Sequence, residues 1–117
     1  MEIVILDDVK SRRTAIVESL EKNRYKVVQC ATSNEFMNVV NSASPGHFLI
    51  DVDTWHRGRS LYTYFQIGKK MERFPVLFYN APLNFTAVTD RVRHEKDFVL
   101  QKPSEIETIV DAVANTF

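Results

Sequence analysis

Asp51 and Asp53 follow directly on the apolar run Phe48-Leu49-Ile50 in the stretch HFLIDVD, and three other apolar runs end in polar residues of complementary kind. EIVIL is followed by Asp7 and Asp8, PVLFY by Asn80, and DFVLQ by Lys102. If those run ends lie side by side, three carboxylates share one pocket. Each pair about 4 Å apart costs roughly 4 kcal/mol at an effective dielectric near 20. Such a pocket needs a raised pKa, a lysine or a bound cation. Lys102 supplies one positive charge, and Mg2+, a hard ion that takes oxygen ligands, suits a few carboxylates plus a phosphate. An aspartate placed beside Mg2+ and an ammonium is a competent phosphoryl acceptor.

The elements that must position these groups follow from the hydropathy pattern. Five short apolar runs stand at 2–6, 26–31, 47–50, 75–79 and 97–101. Three of them are continuous rather than alternating, as expected of strands covered on both faces. Helical periodicity falls between and after them, over 11–24, 33–43, 59–73, 84–95 and 104–117. Thr32 with Glu35, and Ser104 with Glu107, have capping-box spacing. Strand and helix thus alternate five times, which predicts an α/β fold, a parallel sheet with helices on both faces. Ligands of such sheets bind at the carboxyl ends of the strands, where the polar residues collect.

The chain has 117 residues, room for a single domain over 1–117, and is 44% hydrophobic, enough for a real core. Fifteen basic residues balance fifteen acidic ones, so direct nucleic-acid binding by this domain is not expected. The lone Cys30 allows no disulfide and reads as a small buried hydrophobe. The opening MEIVILDD is neither a signal peptide nor a membrane span. Together these predict a cytoplasmic protein. His47 and His94 have no neighbours at zinc-ligand spacing, and Gly46, Gly58 and Gly68 form no phosphate-binding loop.

An acid pair after the first strand, a lone acid after the third and Lys-Pro after the fifth resemble the receiver domain of bacterial two-component response regulators. The stretches LDDVKSRR, FLIDVD, FPVLFYNA and VLQKP carry that resemblance in order along the whole chain. It implies a flavodoxin-like, doubly wound five-stranded sheet in the order 2-1-3-4-5 with five helices. It also implies Asp51 as phosphoacceptor, fed by a histidine kinase or phosphotransfer protein. Asp7, Asp8 and Asp51 would hold Mg2+ together with the backbone carbonyl of Asp53. Lys102 would pair with the phosphate, next to a cis Lys102–Pro103 bond. The domain would switch a partner or a tethered output domain, transcriptional outputs included, and would not be an enzyme in its own right.

The sequence departs from that pattern at three places. Asn80 stands where the family has Ser or Thr, Val99 where it has a switch aromatic, and the loop after Asp51 reads VDTWHRGRS without the usual proline or acid-glycine pair. These departures support a second reading: a pseudo-receiver serving as a phosphorylation-independent interaction or dimerisation module. Basic Arg91, Arg93, His94 and Lys96 face acidic Glu105, Glu107 and Asp111 in the pattern. They would align a homodimer through the helix over 84–95, the fifth strand and the last helix. DVDT also resembles the haloacid-dehalogenase nucleophile motif, but that family has one more residue before its threonine and carries the motif on its first strand.

Overall fold

Odd and even residues of the apolar runs face different layers, and both layers are covered. The computed structural model describes residues 2–42, 46–57, 75–83 and 98–117. In chain order they form β1 (Glu2–Leu6), α1 (Lys10–Lys22), β2 (Lys26–Cys30), α2 (Ser33–Ser42), β3 (His47–Asp51), α3 (Val52–Arg57), β4 (Val76–Ala81), β5 (Phe98–Gln101) and α4 (Ile106–Thr116). The helices expected over 59–73 and 84–95, and the basic cluster from Arg91 to Lys96, lie outside the described residues.

The strands form one parallel sheet in the order β2-β1-β3-β4-β5. Side chains alternate across each strand. Val4, Leu6, Phe48, Ile50 and Phe78 therefore pack on Phe36 and Val40 of α2 and on Val52 of α3. Ile3, Ile5, Leu49, Leu77 and Tyr79 pack on Ile16 and Leu20 of α1 and on Ile109 and Val113 of α4. Two buried faces per strand explain why the runs of β1, β3 and β4 are continuously apolar. Cys30 is fully buried in the first layer, and burial, aided by nearby Glu35, pushes its thiol up to about 11, so it packs as an inert hydrophobe.

The capping box at α2 forms: the Glu35 N–H donates to Thr32 Oγ1 at 3.2 Å, and the Thr32 hydroxyl donates to Glu35 Oε1 at 3.3 Å. The one expected at α4 does not. Glu105 is the N-cap there, with no side-chain cap. The Ser104 hydroxyl instead accepts from the Asn80 N–H at 2.9 Å and donates to the Gln101 carbonyl at 3.0 Å. A tertiary partner outcompetes the local cap.

α1 ends in a Schellman turn. The Tyr25 N–H reaches back to the Leu20 carbonyl at 3.1 Å and the Arg24 N–H to that of Glu21 at 3.0 Å. This turn puts Arg24 at φ 68, in the left-handed region where a Cβ is penalised. Arg24→Gly is expected to raise stability by about 1 kcal/mol, less the greater chain entropy of glycine; a higher denaturation midpoint with an unchanged slope is the check.

Candidate functional site

Strand register builds the site. Ile5 pairs with Leu49 and Leu6 with Ile50 across β1 and β3, so Asp7 and Asp51 come next, level with each other and on the α1 side. Parallel neighbours are about 4.8 Å apart, and both side chains are 0% exposed. Asp8 is close by: one carboxylate oxygen from each of Asp7, Asp8 and Asp51 lies within 4.8 Å of the others.

The charges that answer these acids are arginines. Arg12, in the first turn of α1, donates from Nε to Asp7 Oδ2 at 2.6 Å and from Nη2 to Asp7 Oδ1 at 2.8 Å. The same Nη2 lies 3.0 Å from Asp51 Oδ2. The buried Tyr79 hydroxyl donates to Asp7 Oδ2 at 2.6 Å, and its ring lies 5.9 Å from the Arg12 guanidinium carbon. The Val9 N–H completes the set on Asp7 Oδ1 at 2.9 Å. Arg13 Nη1 donates to the Asp7 carbonyl at 2.8 Å. Burial, together with the charge of Asp7, holds the Tyr79 phenol well above its ordinary value, so it stays a donor. The bond to Asp7 holds Arg12 above even the usual arginine range.

Asp51 ends β3 and also caps α3. The Thr54 N–H and hydroxyl both donate to its Oδ2, at 3.0 and 2.6 Å. Residues 52–57, expected as loop, are helical for this reason. Asn80 Nδ2 donates to Asp51 Oδ1 at 3.3 Å. Asn80 adopts φ 60 where the β4–β5 register shifts, a conformation Asn tolerates better than most residues. Its Oδ1 accepts from the Ser104 N–H at 3.3 Å. Burial raises the Asp51 carboxyl above its ordinary range against the lowering effect of Thr54 and Arg12.

Asp8 is held by Arg57 of α3, which donates from Nε and Nη2 at 2.7 and 2.5 Å. Those bonds lower the Asp8 carboxyl below its usual value. The Asp8 N–H donates to Thr54 Oγ1 at 3.0 Å. Thr54 thus ties the β1 end to the β3 end. Thr54→Val leaves the Asp8 N–H and one Asp51 lone pair unmatched, and is expected to cost about 2–3 kcal/mol in urea unfolding.

Lys102 follows directly on β5, and its Nζ pairs with Asp53 Oδ2 at 2.9 Å, neither group being buried. Asp53 lies in the first turn of α3 and engages Lys102 through its side chain. The Lys102–Pro103 bond is cis. Sequence reasoning did not single out Arg12, Arg57, Thr54 or Tyr79. Two carried a signal. Thr54 stands three residues after Asp51, at capping distance. Arg12 belongs to a basic first turn with no acid, which opposes the helix dipole and needs a compensating partner. Arg57 and Tyr79 depend on tertiary placement alone.

The donor set fits a hard divalent cation in kind, three carboxylates at the end of a sheet. It does not fit one in this side-chain arrangement. Arg12 already spans Asp7 and Asp51, and Arg57 takes both oxygens of Asp8. Among the described residues no helix is long and apolar enough to cross a membrane.

No family model and no curated protein matches the sequence. Solved structures do match in three dimensions. CheY4, a chemotaxis response regulator of Vibrio cholerae, gives a TM-score of 0.75 at 18% identity, over 99% of this chain and 98% of its own. The non-phosphorylated HemR receiver domain of Leptospira biflexa gives 0.78 at 17% identity, over 98% and 92%. The response regulator TrrA of Thermotoga maritima, solved in complex with Mg2+-BeF, gives 0.76 at 17% identity, over 99% and 98%. With its 2-1-3-4-5 parallel sheet, this chain has the fold of response-regulator receiver domains.

Proposed function

We propose that the chain is a receiver-type module of two-component signalling that works through protein contact, without accepting phosphate at Asp51. The observation that carries this is the closure of the Asp51 carboxylate. It is fully buried; Thr54 donates twice to its Oδ2, Asn80 donates to its Oδ1, and the Arg12 guanidinium lies 3.0 Å from Oδ2. In-line attack on a phosphodonor needs an open face at the attacking oxygen, and the Asp51 side chain is 0% exposed. Lys102, the group that would neutralise a transferred phosphate, pairs with Asp53 at the surface, a contact that by itself adds little to the closure. Asn80 offers an amide already spent on Asp51 and Ser104.

A second reading has its own support. Asp7, Asp8 and Asp51 converge within 4.8 Å, as a phosphoacceptor would need. Asp51 would then take a phosphoryl group from a histidine kinase or phosphotransfer protein, after Arg12 has left it and Lys102 has left Asp53. The test is incubation with acetyl phosphate and Mg2+, read by intact mass, beside a beryllofluoride titration read by backbone NMR. Unchanged mass, and amide signals of Asp51, Asn80 and Lys102 that do not move, are expected. A mass gain of one phosphoryl group that is lost in Asp51→Asn would establish the second reading instead.

A further inference from the structure

We infer that Arg12 is the resident cation of the acidic site, so that Mg2+ does not bind between Asp7 and Asp51 in the wild-type chain. The inference deepens the closed-site reading and rests on it.

The physical case begins with the register. Two buried carboxylates on adjacent strands face the same layer, and keeping both ionised there calls for a positive charge between them. Arg12 meets this need with three nitrogen–oxygen contacts of 2.6, 2.8 and 3.0 Å from one planar group. A guanidinium presents donors in a fixed fork, which suits two carboxylates better than a mobile ammonium does. Tyr79 holds the arrangement from the sheet side through its hydroxyl and its ring. The residue also sits where helix rules disfavour it, in a first turn without acids. A local rule broken in this way points to a role in the site.

Burial decides which arginine resists a competing ion. The Arg12 side chain is 21% exposed and its partners 0%. Arg57 is 55% exposed over an Asp8 that is 34% exposed. An exposed pair contributes little and is screened by salt, so Arg57 by itself is a weak barrier to a divalent ion at Asp8. That single carboxylate, without a phosphate, leaves the ion mostly hydrated. Asp7, with both oxygens doubly engaged, is closed to it by Arg12.

The test titrates the full chain with Mg2+ alone, read by the fluorescence of Trp55, the one tryptophan in the sequence, which belongs to α3. The wild type is expected to show no saturable response into tens of millimolar. Arg12→Ala is expected to saturate with an affinity at least roughly tenfold tighter, and to gain thermal stability from Mg2+ that the wild type does not gain. Equal affinities in the two proteins, or no binding by a folded Arg12→Ala, would overturn the inference. Should that variant not fold, the Arg12 Nε–H signal of the wild type decides by NMR. It is expected as a slowly exchanging, shifted resonance that Mg2+ leaves in place; its loss on addition of Mg2+ is the overturning result. The two readings fail separately. Displacement of Arg12 by Mg2+ without labelling by acetyl phosphate sinks only this inference, while labelling with the Arg12 signal intact sinks only the proposed function.

Discussion

Arg12→Met lowers the unfolding free energy by about 3–5 kcal/mol, the cost of stranding buried charges whose partner is removed. Methionine keeps the length and apolar stem of the side chain, so the loss comes from the guanidinium. Among the described residues, Asp7 loses two of its four donors and Asp51 loses the guanidinium 3.0 Å from its Oδ2, while both stay on the α1 side of the sheet. Urea unfolding against pH separates this from a packing defect. Burial already holds the Asp51 carboxyl above 3.8, and Arg12 opposes the rise. Without Arg12 the folded-state value climbs further. A group whose folded pKa is raised contributes stability that is fully present below 3.8 and is lost as pH rises through the folded value. The deficit of the variant is therefore largest at neutral pH and shrinks as the pH falls towards 3.8. Asp8 runs the other way, its stabilisation being lost on acidification because Arg57 lowers its pKa. Both proteins retain that pair, so its contribution cancels in the difference apart from the smaller direct influence of Arg12 on Asp8. A deficit independent of pH would show that lost packing, and not unpaired charge, accounts for the effect.

Phe78→Ala is expected to cost a similar 3–5 kcal/mol through the cavity it leaves. Phe78 lies in β4, pairs with Ile50 on one side and Val99 on the other, and is fully buried. Its ring meets Trp55 edge-on, with centroids 6.0 Å apart, and Phe36 approaches the same indole at 6.3 Å. Those aromatic contacts seat α3 on the sheet. The substitution should therefore shift Trp55 emission to longer wavelength while the α1 side of the sheet, with Asp7, Arg12 and Tyr79, keeps its structure. Trp55 is a local reporter here: unchanged emission alongside the stability loss would mean that α3 is positioned by Thr54 and Asp51 and not by the aromatic cluster.

The fold was legible in the chain because strand and helix periodicity are local properties. Five apolar runs of about the right length, three without alternation, specify a sheet buried on both faces. The alternation with helical segments makes it parallel. The same pattern places Asp7, Asp8, Asp51, Asn80 and Lys102 at or just beyond the carboxyl ends of strands, since each run stops at a polar residue. The Ser104 cap and the loop after Asp51 were misread for one reason. Each side chain has a longer-range or stronger partner, Asn80 in one case and the Asp51 carboxylate in the other, than the local motif supplies.

What the chain by itself could not decide is which cation answers which acid. Lys102 was the natural choice from spacing, yet it pairs with Asp53, and Arg12 with Asp7 and Asp51. Ion pairing depends on separations of a few ångströms and on burial, and both arise from the β1–β3 register, the seating of α1 and the short helix that Asp51 caps. Periodicity specifies elements one at a time; only their assembly brings a guanidinium from one helix between carboxylates from two strands.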